Sequence, residues 1–353
     1  MREIAVTQKI LGGETVINDQ IAPPRVAVLV PCYNEELAIS QVVTDFRSAL
    51  PHAKVYVYDN NSRDRTKEVA AAAGAIVRIE PLQGKGNVVR RMFADIDADI
   101  YVLVDGDDTY DAVSSPAMVQ ALIDTQLDMV NGRRVSTIQA AYRPGHRFGN
   151  VLLTTLVAAI FGRRFTDMLS GYRVFSRRYV KSFPALASGF EIETELTVHA
   201  LELRMPTVEM DTPYKDRPEG SQSKLRTYRD GWRILCMIFA LVKEERPLQF
   251  FGAITVALMA FSIIISVPLF VTYAETGLVP RLPTAVLATG SILLAFLSLA
   301  SGLILDTVTL GRREAKRMRY LDIPAPGGGE ATPTSVGAIN VSRTDLEAVT
   351  QTA

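Results

Sequence analysis

Two stretches of the chain carry no charge at all, Pro247 through Ala274 and Leu282 through Leu305. As helices, each reaches about 36 Å or more, beyond the roughly 30 Å of hydrocarbon in a bilayer. Soluble cores rarely use uninterrupted apolar runs of this length, so two membrane-spanning helices are expected in preference to a pair of buried core helices. The connection between them is short, with only Glu275 and Arg281 as charges, and forces an antiparallel hairpin whose outer ends lie on one side. Lys224, Arg226, Arg229, Arg233, Lys243 and Arg246 precede the first run, and Arg312, Arg313, Lys316, Arg317 and Arg319 follow the second. This basic bias predicts that both outer ends face the cytoplasm.

The remainder reads as a folded domain. Lys+Arg and Asp+Glu balance at 38 each, which argues against an electrostatic nucleic-acid footprint. Two distant cysteines, Cys32 and Cys236, exclude a disulfide framework and favour a reducing compartment. Residues 1–24 lack the apolar core of a secretion signal, so the domain that follows is expected in the cytosol. From Val26 onward, short β-branched or aromatic runs bounded by turn residues predict strands at Val26–Pro31, Val55–Asp59, Ala75–Ile79, Ile100–Asp105 and Met129–Asn131. Helical stretches such as Glu36–Leu50 and Arg65–Ala73 alternate with them, the pattern of an α/β domain with a largely parallel sheet. Val151–Phe161 and Trp232–Val242 are apolar, flanked by arginines and too short to span; interfacial helices and ordinary core or subunit-interface helices both fit them. Beyond Pro324 the Gly-, Pro- and Thr-rich tail has the composition of a disordered segment.

Chemistry-bearing residues gather at the ends of the predicted strands, where open α/β sheets bind ligands. The first ends in Pro31-Cys32-Tyr33-Asn34-Glu35: Tyr33 offers a stacking face and Glu35 an acceptor for a ribose or base, although a turn capped by Asn34 explains the same residues. The second ends at Asp59, able to accept a base N–H, followed by Ser62 and Asp64 as possible helix caps. Gln83-Gly84-Lys85-Gly86-Asn87 reads as a flexible turn carrying one cation suited to a phosphate, matching neither a Walker A nor a dinucleotide fingerprint. The fourth ends in Asp105-Gly106-Asp107-Asp108-Thr109. Carboxylates two apart around a Gly suit a divalent cation, Mg²⁺ or Mn²⁺, set against a diphosphate, with a solvated acidic turn as the alternative. The three histidines fall outside these motifs, and Glu191 and Glu195, one helical turn apart, are candidates to face the site or to cap.

Taken in order, PCYNE, DNNSRDRT, GKGN and DGDD resemble family 2 glycosyltransferases of the GT-A (Rossmann-like, nucleotide-sugar-binding) fold, in particular the polyprenyl-phosphate branch. The resemblance spans roughly Val26 to Lys224, and the terminal two-helix hairpin is similar to that of bacterial members. It implies that Pro31, Tyr33, Glu35 and Asp59 line a nucleoside pocket, that Lys85 lies near the diphosphate, and that Asp105 and Asp107 hold the metal. Thr109 stands where the family commonly has Gln as a further ligand, with Asp108 before it. The similarity extends through Gly132-Arg133-Arg134, Arg147, Ser170-Gly171-Tyr172-Arg173 and Tyr214 to Lys224. It implies that Arg134, Arg147, Ser170 and Arg217 grip the lipid phosphate with Lys224 assisting, guanidinium groups being efficient phosphate holders, and that Asp108 and Arg173 are among the substrate-binding residues.

The expected organisation is an extension at 1–24, a GT-A domain at 25–224, a juxtamembrane amphipathic helix at 225–246, spans at about 248–274 and 283–310 within 247–311, and a basic segment with a disordered tail at 312–353. The implied function is inverting, metal-dependent transfer of a sugar from a UDP- or GDP-sugar to a polyprenyl (undecaprenyl or dolichyl) phosphate. Asp107, Arg134 and Arg217 would be central to it. The implied setting is the cytoplasmic (inner) membrane, with the domain and C-terminus in the cytoplasm and, by family analogy, a homo-oligomer such as a tetramer. Transfer to a glycan or glycolipid is the second reading; the Gln-x-x-Arg-Trp pattern of processive members is absent. A membrane-tethered nucleotide-sugar-binding protein without turnover is the third, and the Asp105/Asp107 pair argues against it.

Overall fold

The computed structural model describes residues 10–11, 14–15, 23–135, 165–217, 236, 239–240 and 242–326. In the N-terminal extension, strands β1 (Ile10–Leu11) and β2 (Glu14–Thr15) pair antiparallel. A separate compact unit, Arg25–Pro326, holds a seven-stranded sheet and the hairpin.

The sheet comprises β3 (Val26–Cys32), β4 (Lys54–Asp59), β5 (Ile76–Ile79), β6 (Ile100–Leu103), β7 (Met129–Val135), β8 (Arg173–Ser176) and β9 (Thr207–Pro213), in the order β5-β4-β3-β6-β8-β7-β9. β8 runs antiparallel to both neighbours and every other pairing is parallel. Helices α1 (Ile39–Ala49), α2 (Thr66–Ala72), α3 (Lys85–Asp95), α4 (Ser115–Asp124), α5 (Arg177–Ser182) and α6 (Ile192–Glu202) accompany it. Successive β3 residues enter opposite cores: Leu29 joins Tyr58, Met92, Phe93 and Phe175, while Val28 and Val30 join Ile39, Phe46, Val57 and Val102. Burial on both faces is why β3 reads as one apolar run. Strands β8 and β9 escaped the sequence reading because β8 (RVFS) has only two apolar residues between polar ends and β9, an edge strand, alternates charged with apolar residues.

Helices α7 (Pro247–Thr276) and α8 (Leu282–Leu321) are long and apolar enough to cross a membrane. Val256, Ile263, Ile264, Phe270, Leu293 and Leu297 are exposed, the opposite of a soluble core helix. Hydroxyl groups join the two helices: Thr255 Oγ1 donates to the Ala295 carbonyl (3.2 Å), Ser262 Oγ to Ala288 (2.8 Å) and Ser298 Oγ to Phe251 (3.0 Å). Gly302 lets Phe251 approach closely, as small residues do at membrane helix interfaces.

At 40 residues, about 60 Å, α8 outruns a bilayer. The expected basic segment after residue 311 is therefore a helical stem as far as Leu321, and the α/β domain holds it. Lys316 Nζ lies 2.8 Å from Glu202, Arg313 lies 3.4 Å from both Glu202 and Glu245, and Tyr320 donates to Asp128 (2.7 Å) beneath the Arg178 guanidinium. Burial and the neighbouring Glu245 push the Glu202 carboxyl up, and Lys316 opposes them. The predicted juxtamembrane helix falls mostly outside the described residues, as does Val151–Phe161.

His199, on α6, packs against Tyr179 and Phe183, and its Nε2 lies 3.2 Å from Ser182 Oγ. Burial and then Lys316 pull its pKa from 6.5 to about 3. An unfolded chain takes up this proton below pH 6.5 and the folded one does not, so stability is lost as pH falls from 6.5 towards 3, by at most about 1.4 kcal/mol per unit. Denaturation in detergent at pH 7 and pH 5 should show this dependence reduced in His199→Leu.

Candidate active site

The ends of β3, β4 and β6 share one edge, since Cys32 pairs with Asp59 and Leu29 with Leu103. The loops after β3 and β4 interlock there. Asn34 adopts a left-handed conformation (φ 54°) that Asn tolerates; it receives a hydrogen bond from the Arg63 N–H (2.8 Å) and donates its own N–H to Ser62 Oγ (2.9 Å). It does not cap α1, whose cap position is Ala38. Glu35 is buried and its N–H bonds Thr66 Oγ1 (2.9 Å). Asp59 is 1% exposed: Oδ2 accepts from the Ser62 N–H (3.1 Å), while Oδ1 has no hydrogen-bond partner among the described residues. An unpaired buried carboxylate oxygen is costly without a ligand that donates to it. Pro31 and Tyr33 lie partly exposed beside these residues.

The GKGN segment is not a flexible turn but the start of α3. Asn60, which the motif reading left without a role, holds it: its Oδ1 accepts from the Gly84 N–H (2.7 Å) and its amide donates to the Glu80 and Leu82 carbonyls (both 2.8 Å). The two glycines are needed for close approach, because a Cβ on Gly84 would lie 2.1 Å from the Ser188 carbonyl oxygen and one on Gly86 2.2 Å from that of Ala187. Between them Lys85 points to the end of β6, touching Asp105 and, at 2.5 Å, Glu193 Oε1. Burial would lower the Lys85 pKa, but the two carboxylates outweigh it and raise it, so the ammonium is charged.

Beyond β6, Asp107 is 4% exposed and accepts from Thr109 Oγ1 (2.6 Å) and from Arg217 Nη2 (2.5 Å). Arg217 is delivered by the segment after β9, which bonds the loop through the Lys215 N–H and Thr109 carbonyl (2.8 Å). Burial and then the charge of Asp105 push the Asp107 pKa up, against Arg217 and Thr109. Asp108, in a left-handed conformation, faces Lys215 at 3.8 Å. Gly171 lies directly on Asp105, since a Cβ there would be 2.4 Å from Oδ2.

The phosphate-holding set divides. Arg134 is present and oriented, its guanidinium bidentate on Asp167 (2.7 Å twice) beside the Tyr214 ring. Ser170 is fully buried and its hydroxyl bonds the Gly132 carbonyl (2.6 Å), so it shapes the loop and does not face a ligand. Arg173 is likewise misassigned. It is completely buried and donates to the carbonyls of Ser170 (3.0 Å), Met168 (2.5 Å) and Glu193 (3.1 Å), tying β8 to α6 from inside the core. Arg147 and Lys224 lie outside the described residues. Of the acids in FEIETEL, Glu195 accepts from the Leu186 and Ala187 N–H groups and Glu191 from Gly189, leaving Glu193 to meet Lys85. The signal was the three-acid run itself; a helix beginning at Ile192 puts the middle acid in its first turn.

A divalent cation fits Asp105 and Asp107 by donor chemistry: two hard carboxylates at one strand end, each held by a positive side chain that occupies the place of a counter-charge. Among the described residues no group of three or more acidic, His or Cys side chains has metal-holding geometry.

An α/β sheet with this acidic loop at its carboxyl edge is the arrangement expected of a GT-A transferase domain. The model for glycosyl transferase family 2 matches residues 27–183. The glycosyltransferase AglJ of Haloferax volcanii is 32% identical over 85% of this chain and 99% of its own length. The chain belongs to glycosyl transferase family 2. A dolichyl-phosphate hexose transferase of the same organism is 28% identical over 62% of this chain and 95% of its length. Glucosyl-3-phosphoglycerate synthase from Mycobacterium tuberculosis, solved with Mn²⁺, UDP and its product, shares the fold (TM-score 0.51, 23% identity, 62% of this chain and 80% of that one).

Proposed function

We propose that this glycosyltransferase is a membrane-anchored, inverting enzyme that moves a sugar from a UDP- or GDP-sugar to a polyprenyl phosphate, with Mg²⁺ or Mn²⁺ bound at Asp105 and Asp107. The observation that carries this reading is the carboxylate pair clasped by Lys85 and Arg217, on a domain whose Glu202 pairs with Lys316 and Arg313 of the α8 stem. A dolichyl-phosphate hexose transferase among the chain's relatives and a synthase of the same fold solved with Mn²⁺ and UDP support it.

In this reading the nucleoside enters between Tyr33, Pro31, Glu35 and Asp59, with Asp59 Oδ1 taking a base N–H. The divalent cation, when bound, neutralises the diphosphate leaving group. Lys85 donates to the same diphosphate. Arg134, kept in one orientation by Asp167, and Arg217 hold the acceptor phosphate, and the resemblance adds Arg147 and Lys224. That phosphate is already anionic near neutral pH, so its oxygen attacks the sugar C1 without a strong general base; the C1–O bond to the diphosphate breaks in line and the anomeric configuration inverts. In this reading the basic residues flanking the hairpin put the chemistry at the cytoplasmic face of the inner membrane, beside the acceptor phosphate.

The test is to incubate the full chain in detergent with radiolabelled UDP- and GDP-hexoses and undecaprenyl phosphate. Label should enter the organic phase from at least one donor, stop with EDTA and return with excess Mn²⁺ or Mg²⁺. Label that stays aqueous with every donor would overturn the proposal.

A further inference from the structure

We propose that Glu193 is the positioning residue that keeps Lys85 aimed at the donor diphosphate, an inference that rests on the function proposed above. Lys85 Nζ sits between two carboxylates from different elements, Asp105 beyond β6 and Glu193 in the first turn of α6. The Lys85 side chain is 9% exposed and that of Glu193 7%, while that of Asp105, at 29%, leaves the cluster open on its side. Asp105 has two claimants in the catalytic cycle, Lys85 and the divalent cation. Once the cation holds Asp105, the ammonium would stand buried next to another positive charge unless a second anion stays with it. Glu193 is that anion. An ammonium has three N–H donors, so one bond to Glu193 leaves others for diphosphate oxygens.

The surroundings fix Glu193 independently of Lys85. Arg173, fully buried, donates to the Glu193 carbonyl (3.1 Å) and to the Ser170 carbonyl, registering α6 against the Gly171 loop that touches Asp105. Glu195 gathers the Leu186 and Ala187 N–H groups, and that same loop packs through Ala187 and Ser188 on the two glycines flanking Lys85. Backbone on both sides thus sets the distance across the pair. The first turn of α6 also favours a carboxylate through the helix dipole.

The experiment is a double-mutant cycle on the full chain in detergent, titrating UDP and GDP with Mn²⁺ present, and uridine and guanosine as probes without a diphosphate. Glu193→Gln and Lys85→Met should each weaken binding of the preferred nucleoside diphosphate by roughly 10- to 100-fold, and leave the nucleoside within about twofold. The combined variant should bind no more weakly than Lys85→Met alone, since Glu193 acts only through Lys85. If the Gln variant does not fold, Glu193→Asp carries the same cycle: its smaller loss must also vanish in the Lys85→Met background. Wild-type affinity in Glu193→Gln, or losses that multiply in the double variant, would overturn the inference. Wild-type affinity in Lys85→Met would remove the proposed diphosphate role of Lys85 itself, and this inference with it.

Discussion

Asp107→Asn is expected to lower sugar transfer by about 10³-fold or more while the domain stays folded. The substitution keeps the shape of the side chain and an oxygen to accept from Thr109, so the loop beyond β6 keeps its bonds. It removes one of the two charges proposed to hold the cation against the diphosphate. The partner left behind, Arg217, is 28% exposed at its side chain and can turn to water, so the stability cost stays modest. The check is kcat/KM for transfer beside a melting curve in detergent, with Mn²⁺ titrated in both proteins. Transfer at the wild-type rate would remove Asp107 from the chemistry.

Gly171→Ala should cost about 100-fold in transfer, although it adds only one methyl group. Its Cβ would stand 2.4 Å from Asp105 Oδ2 and 2.9 Å from Cγ, so the carboxylate or the loop must move. Asp105 cannot yield freely because Lys85 holds it from the other side. Overpacking of this kind typically costs about 1–3 kcal/mol of stability, and at a proposed metal ligand the displacement is expected to be felt in the chemistry as well. Gly290→Ala is the control, because a Cβ there meets no atom within 4 Å and transfer should be unchanged. Equal activity in the two variants would show that Asp105 tolerates displacement.

What the sequence disclosed was set by how local each signal is. The strand ends carrying Glu35, Asp59 and Asp105 were readable because strands β3, β4 and β6 are short, apolar and bounded by turns. The apolar runs of α7 and α8 were readable because they are long and uncharged. Ser170 and Arg173 were misplaced because a polar residue in a motif looks the same whether it meets a ligand or the protein's own carbonyl groups; only the antiparallel insertion of β8 between β6 and β7 turns Arg173 into the core. Glu193 was passed over in favour of Glu191 and Glu195 because the answer depended on where α6 begins. Asn60 and Asp167 act on residues 24 and 33 positions away, Gly84 and Arg134, separations no local pattern reports. The stem of α8 reads as a basic flank in the sequence because its partners Glu245, Glu202 and Asp128 lie 68, 114 and 192 residues earlier.

The most direct test of the central claim is the identity of both products from one reaction, with the lipid analysed by mass spectrometry and the released nucleotide by chromatography. Transfer of the sugar alone predicts a polyprenyl monophosphate carrying one sugar and, in equal amount, a nucleoside diphosphate. A nucleoside monophosphate with a lipid diphosphate sugar, or a sugar found only on a glycan, would contradict it.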